Sequence, residues 1–531
     1  MKMTRRFSSE SQFITAITLL FSAAIGIGLW RHEMWRDEYH AWGLVLYSHS
    51  LSQMLSNLRG EGHLPFSYII FYFLSRFTAN PHAVQFAQFF TAIACAYLLL
   101  RFAPFKRWQK VLFLFGYFPL YEYGVISRSY TWNMLGLFGF CAVYSWAKEQ
   151  NRNLWMASIF LLIMVFNEPF GILMALPLAG LLIWELCAKK QIAKSTWLWL
   201  SGIAAIAAAL LVYALLRVIT SSQWDSLRNH FFGMFNHPFK AEIRLLKAII
   251  LPRIRLPKDI LDFSILHDQL LSSHNITGSV IAILLTAIVI YLFCRLILAA
   301  IRLPLNFWER PSIFIVWGTG TTLLILFAWI FIGRLDAPRH AGHSYLFFIA
   351  CWWLYAYFPK QEISQRSWLT HVKKYAKSDF RFLLLAQLAF GLFAYCLDIV
   401  YPFSANLATA TYLQKHHLQN AVLVTDEPIA IILRRPAYLP EQDIVSTTFT
   451  YGKPQKTNAT RDQARQEWRQ RIWYFIKTHA RKNTVVLALK EPLNDARLQK
   501  YFLWRSAPGI VDDEQFTVYL IPRGALDARS K

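Results

Sequence analysis

From Phe13 to Trp30 the chain carries no charged residue. At about 1.5 Å per residue such a run coils to about 27 Å, close to the hydrocarbon thickness of a bilayer. Further predominantly apolar blocks follow at His82 to Phe102, Val111 to Ser127, Thr131 to Ala147, Leu154 to Phe166, Pro169 to Ala188, Thr196 to Arg217, Thr277 to Ile301, Pro311 to Gly333, His343 to Phe358 and Phe382 to Tyr401. A series of this length excludes a string of soluble domains, because runs without polar breaks need a solvent as apolar as themselves. Composition agrees: hydrophobic residues make up 55% and charged residues only 16%, against about 25% charged in an ordinary globular chain. The sequence predicts an α-helical polytopic membrane protein with about eleven transmembrane helices.

Charge supplies the orientation. Lys and Arg number 55 against 31 Asp and Glu, a net +24, which in a soluble chain would suggest nucleic acid. Here the basic clusters lie between apolar blocks: Lys106/Arg107/Lys110, Lys148/Arg152, Lys189/Lys190/Lys194, Arg302/Arg310 and Lys360 to Arg381. With eleven spans all of them share the side of Lys2, Arg5 and Arg6, which the positive-inside bias assigns to the cytoplasm. No nucleic-acid partner is expected. The apolar run continues past Ser22 to Ala24 without a clean cleavage signal, so the first block reads as a retained span rather than a signal peptide. Phe66 to Phe77 is too short to cross and reads as an interfacial or re-entrant segment of the first outer loop.

The expected organisation is therefore a membrane domain over residues 1–402, with outer loops at 31–81 and 218–276, and a small α/β domain over 403–531 on the non-cytoplasmic side. In that tail Ala421 to Thr425, Thr484 to Leu489 and Phe516 to Ile521 read as strands, and Arg461 to Arg481 as a helix presenting Trp468, Ile472, Phe475 and Ile476 on one face. No nucleotide loop is present in it. The six cysteines all fall within apolar blocks, which leaves no disulfide framework or CxxC zinc motif. Compact loops and the small tail place the protein in a bacterial inner membrane, tail in the periplasm.

Charged residues on the outer face have no topological explanation, so they carry the functional information. Asp37 and Glu38 open an amphipathic segment just past the first span; acids at a helix start are also ordinary capping residues. His63 follows in Glu61-Gly62-His63-Leu64-Pro65, which reads equally as a turn. Glu122, in the third span, lies about 9 Å deeper than Arg128 if the segment is helical, and the two read as site residues or as a structural ion pair. Arg128-Ser129-Tyr130 ends that span. Asn167-Glu168-Pro169 reads chiefly as a helix breaker. Arg334, Asp336, Arg339, His340 and His343 crowd into one outer hairpin, as anion ligands or as side chains reaching for lipid headgroups. Lys240, Arg244, Lys247, Arg253, Arg255 and Lys258 mark a basic interfacial helix in the long loop.

An acidic pair facing Arg and His at the outer bilayer surface suits group transfer from a lipid-phosphate donor. A carboxylate takes the proton of an acceptor hydroxyl while cations stabilise the departing phosphate. Arg and His suffice for that charge; the residues neither require a divalent metal nor decide against one, and no cofactor is indicated.

In these motifs, Asp37-Glu38, Gly62-His63, Glu122-Tyr123, Arg128-Ser129-Tyr130 and Arg339-His340, the chain resembles the GT-C superfamily of integral-membrane glycosyltransferases, nearest the branch of protein O-mannosyltransferases and lipid A aminoarabinose transferases. The resemblance covers about the first 150 residues and beyond them rests on topology. It implies a polyprenyl-phosphate-linked sugar donor, transfer on the non-cytoplasmic side, Asp37 as general base, Glu38 beside it in acceptor positioning, Arg128 and Tyr130 near the donor, and Arg339 and His340 toward the lipid phosphate. Two departures stand out. Gly62-His63-Leu64-Pro65 replaces a His-Pro-Pro, and Asn133 stands where an acid often follows the Arg motif, which argues against an oligosaccharyltransferase-like metal site.

The expected function is inverting transfer of a hexose or pentose to a hydroxyl of a cell-surface glycolipid, glycan or protein, as a step of cell-envelope glycan synthesis. Two alternatives stand: a transporter or flippase of a lipid-linked or anionic substrate, and a polymerase or ligase using a diphosphate-linked donor.

Overall fold

The computed structural model describes residues 2–58, 63–149, 154–188, 202, 209, 291–292, 294–327, 338–358, 367–435, 437–439, 444–445, 461–490, 493, 495–511 and 514–525. Among the described residues helix predominates, and the strands form a small sheet in the tail. Among the same described residues four helices are long and apolar enough to cross a membrane: Ser9–Arg31, His82–Phe102, Pro169–Ala188 and Lys374–Val400. Two apolar helices are shorter, Leu154–Asn167 and Pro311–Phe327. The expected blocks at Thr196 to Arg217 and Thr277 to Ile301 lie largely outside the described residues, as do the basic stretch from Lys240 to Lys258, Gly62, Arg334 and Asp336.

The first helices in chain order are α1 (Lys2–Arg31), α2 (Arg36–Leu46), α3 (Leu51–Asn57), α4 (Pro65–Phe77), α5 (His82–Phe102), α6 (Arg107–Leu114), α7 (Tyr130–Glu149), α8 (Leu154–Asn167) and α9 (Pro169–Ala188). The apolar Phe66 to Phe77 segment is helix α4, started by Pro65 at its first turn, where a missing N–H costs nothing. It packs with α2 around Trp42, Tyr68 and Phe71. The block expected from Val111 to Ser127 is not one helix. It divides into α6 and a π-helix over Tyr117–Val125.

Pro119 cannot donate to a helical ladder, and the wider turn leaves carbonyls exposed at its end. Buried Gln88 of α5 satisfies them, its Nε2 donating to Tyr123 O at 2.6 Å and also reaching Thr131 Oγ1 at 2.6 Å. The bundle core gathers Phe21 and Ile25 of α1, Leu99 of α5, Phe118 of the π-helix, Phe138 of α7, Leu178 of α9, and Phe347 and Trp353 of helix Pro338–Tyr355. Helices α7 and α8 approach closely because Gly136 and Gly139 face Met164 and Phe160; a Cβ at Gly139 would stand 2.2 Å from the Phe160 ring.

The tail is a mixed six-stranded sheet, β1 (Val422–Thr425), β2 (Tyr438–Leu439), β3 (Ile444–Val445), β4 (Val485–Leu489), β5 (Phe502–Arg505) and β6 (Thr517–Ile521), in the order β3-β2-β1-β4-β6-β5. Strands β2, β1 and β4 are parallel, and the two ends close with antiparallel pairs. Strand β4 is buried along its whole length, which is why it reads as a continuous apolar run. Helix Arg461–His479 covers one side through Ile472, Phe475 and Ile476, as its spacing predicts. The short strands β2, β3 and β5 carry no periodic signal of their own.

The tail is joined to the bundle. Ile510 and Val511 donate their N–H groups to Pro402 O and Phe403 O, each at 2.9 Å. Ile431, in the helix after β1, packs into the cluster of α2 and α4, and His40 Nδ1 lies 2.8 Å from Glu427 Oε2. The sheet is thereby held against the helix that carries Asp37.

Candidate active site

Helix α2 begins by satisfying its orphan donors with carboxylates. Glu38 Oε2 accepts from Trp35 N at 3.0 Å, and Glu514 of the tail accepts from Arg36 N at 3.0 Å through Oε1. Asp37 needs neither bond. It points instead to two arginines: Oδ2 lies 3.1 Å from Arg128 Nη1 and 3.8 Å from Arg339 Nη1. Three side chains separated by up to 302 positions therefore share one oxygen. Asp37 keeps 24% of its side chain exposed and Arg339 30%, so the cluster is open on one side. Burial alone would raise the Asp37 carboxyl; Arg128, Arg339 and Arg36 overcome it and hold it below the usual carboxylate range.

Arg128 is fixed from behind. Its Nη2 lies 3.2 Å from His63 Nε2, and His63 Nδ1 lies 2.7 Å from Glu168 Oε1. The imidazole with hydrogen on Nδ1 satisfies both contacts. Glu168 also accepts from Ser129 Oγ. Burial would raise the Glu168 carboxyl, and His63 reverses that and lowers it. Asn167 adds a bond from Nδ2 to Ser129 O at 2.8 Å, and Leu64 N donates to Asn167 O at 3.3 Å. His63 and Leu64, the Arg128 loop and the α8–α9 junction thus form one network. Asn167-Glu168-Pro169 breaks a helix, as the sequence suggests, and also holds the site. Tyr130 lies beneath the Arg128 guanidinium, 5.8 Å from its ring centre.

His340 and His343 lie on the helix that carries Arg339. His343 is fully buried and stacks on Phe170 at 4.7 Å and 11°. Its Nε2 lies 3.2 Å from Asn133 Nδ2 and its Nδ1 3.2 Å from Tyr123 Oη. Tyr123 Oη in turn donates to Arg339 O at 2.7 Å. A Cβ at Gly342 would stand 2.5 Å from that hydroxyl, so glycine is what lets the helix carrying Arg339 approach. Burial and the adjacent Arg339 push His340 well below the ordinary histidine value. Arg339 lies 5.5 Å over the Trp35 ring.

Glu38 takes a different place from its neighbour. Its side chain is fully buried, with Oε1 accepting from Ser127 N at 2.6 Å and Oε2 facing His32 Nε2 at 3.0 Å. His32 Nδ1 meets Asp398 Oδ2 at 2.7 Å. Burial would lower the His32 imidazole, but Asp398 and Glu38 raise it well above its usual value. Glu38 is in geometry a positioning group for the Arg128 loop. Glu122 accepts from Tyr117 Oη at 2.7 Å within the π-helix, while Arg128 pairs with Asp37. His32, Asp398 and Glu514 carry no motif. Asp398 alone had a signal, as an acid inside an apolar block.

Among the described residues no group of three or more His, Cys, Asp or Glu side chains is placed to hold a metal ion. What the cluster offers chemically is a carboxylate about a quarter exposed beside two guanidiniums, one of them buttressed. No family model, curated protein or solved structure matches the chain.

Proposed function

We propose that the chain is an inner-membrane glycosyltransferase that moves a sugar from a polyprenyl-phosphate donor to a hydroxyl acceptor on the periplasmic face. In this reading the chain crosses the membrane eleven times, with its N-terminus in the cytoplasm and its α/β tail outside. The observation that carries the proposal is Asp37 Oδ2 lying between Arg128 and Arg339 on an open face. An acceptor O–H gives its proton to the Asp37 carboxylate as its oxygen attacks the anomeric carbon. The bond from that carbon to the donor phosphate breaks, and the electron pair leaves with the polyprenyl phosphate. Single displacement inverts the anomeric centre.

The departing phosphomonoester is a dianion, and Arg128 and Arg339 suit it as fork-shaped donors. When the donor phosphate engages those guanidiniums, Asp37 loses part of the field that depresses its pKa and becomes a better base at the moment it is needed. The resting ion pair thus keeps the carboxylate charged and the arginines oriented before substrate arrives. His63 and Glu168 hold Arg128 in place, and Tyr123, His343 and Asn133 hold the Arg339 segment.

The test is purified Asp37→Asn assayed with a polyprenyl-phosphate sugar. Loss of transfer with normal folding supports the base assignment, and undiminished transfer overturns it. Flux of lipid-linked sugar across proteoliposomes without any covalent product would favour a transporter. Mass spectrometry of surface glycolipids and glycoproteins from cells with and without the chain identifies donor and acceptor together.

A further inference from the structure

A second cluster with one acid and two arginines lies far from Asp37. The helix through residues 294–305 faces helix Ser367–Val400, and Asp379 is wholly buried between them. Arg295 Nη1 pairs with Asp379 Oδ1, and Arg302 Nη1 lies 3.6 Å from Asp379 Oδ2. Arg295 Nη2 also donates to Ser378 Oγ at 3.0 Å. These arginines, with Val372 and Tyr375, line a cleft of about 440 Å³. The carboxylate is covered, while each guanidinium keeps about a fifth of its side chain exposed, 20% and 22%. Two positive charges against one negative leave a net cation at the cleft.

Its position follows from the helix. Asp398, which holds His32 behind the Asp37 site, and Asp379 lie on the same helix nineteen residues apart, or about 28 Å along the axis. That is close to the hydrocarbon thickness of a bilayer, so the cleft lies at the opposite membrane surface from the Asp37 site. Tyr375 is 37% exposed, and Trp108 and Trp308, 36% and 41% exposed, stand near the same end of the bundle, the pattern of an interfacial aromatic belt. Arg381 lies 5.3 Å over the Trp108 ring. One helical face carries Tyr291, Arg295, Leu298 and Arg302, and Tyr291 and Leu298 are 64% and 44% exposed.

An arginine that only reaches for headgroups needs no buried acid and no cleft. Here Asp379 fixes the two guanidiniums side by side, and Arg302 meets it at ion-pair rather than hydrogen-bond distance. The Arg302 guanidinium, set 5.0 Å over the Tyr375 ring, makes no hydrogen bond among the described residues. We propose that this cleft binds the phosphate of an anionic membrane lipid, its diester held by Arg302 and Arg295 and its acyl chains lying along Tyr291 and Leu298. This site is separate from the transfer site and does not rest on the glycosyltransferase reading.

The experiment places the full chain in nanodiscs of phosphatidylcholine containing a minor fraction of phosphatidylglycerol, extracts it, and counts retained lipid by native mass spectrometry. The wild type retains phosphatidylglycerol in preference to phosphatidylcholine. Arg302→Gln lowers that retention about tenfold, the weight of one charge-assisted contact. Arg302→Lys, which keeps the charge and loses the fork, retains an intermediate amount and covers the case in which Gln disturbs folding. Equal retention of both lipids by the wild type, or unaltered retention by Arg302→Gln, overturns the proposal. Release of the lipid by inorganic phosphate alone assigns the cleft to soluble phosphate and overturns the lipid. Asp37→Asn separates the two sites: it removes transfer and retains phosphatidylglycerol.

Discussion

The two faces of helix α2 carry adjacent carboxylates that live in opposite surroundings. Each residue of an α-helix turns about 100°, so Asp37 and Glu38 cannot face the same way. Asp37 faces two arginines and keeps 24% of its side chain exposed. Glu38 looks into the protein, where His32, Trp35 N and Ser127 N use both of its oxygens. The first can exchange partners when a substrate arrives. The second cannot, since every partner it would give up is buried. One short acidic sequence therefore supplies both a partly exposed carboxylate and the anchor of the loop that carries Arg128.

Substitutions at the two positions divide along that line. The largest effect is on rate: Asp37→Asn lowers transfer by at least about 10²-fold, the weight of a general base. Arg128→Gln follows at about 10²-fold, through lost stabilisation of the leaving phosphate, and single-turnover kinetics places the loss in the chemical step. If Arg128→Gln raised KM alone, the arginine would be binding the ground state and not the departing dianion.

Glu38→Gln falls on stability instead. It leaves protonated His32 with one buried carboxylate partner fewer, at about 3 kcal/mol, seen as a lowered thermal midpoint in detergent. A Glu38→Gln protein that melts normally but fails in transfer would move Glu38 to the chemical face and undo the comparison.

The smallest effect is on pH dependence. Asp37 and Glu168 are depressed in the folded chain, so their stabilisation is complete above the unfolded carboxylate range and is lost as pH falls through the folded values. In catalysis the acid limb of kcat/KM, which reports the free protein, lies at lower pH than the acid limb of kcat, where donor phosphate has taken up the arginines. Coincident limbs would mean that substrate leaves the ion pair intact.

Much of this was legible in the sequence, for identifiable reasons. Hydrophobic block length marks helices because a bilayer tolerates few interruptions, and His82 to Phe102 and Pro169 to Ala188 are helices over those same residues. Outer-face charge singled out Asp37, Arg128 and Arg339, since no topological rule asks for them there. The division of Val111 to Ser127 was not legible. Hydropathy does not register that Pro119 withholds a donor or that Gln88, from another helix, is there to repair the ladder. The same blindness applies to Glu168, whose Pro169 announces a helix break and whose partners, His63 and Ser129, come from elsewhere in the chain.

The sequence by itself determined the helical bundle, the α/β tail and the acid that opens α2, because burial periodicity and charge placement are properties of neighbours along the chain. Tertiary structure alone decided which carboxylate stays partly exposed, that Arg339 reaches Asp37 across 302 positions, and that Asp398 holds His32 behind them. Those are contacts between segments brought together by packing, and a pairing energy that depends on distance has no trace in composition.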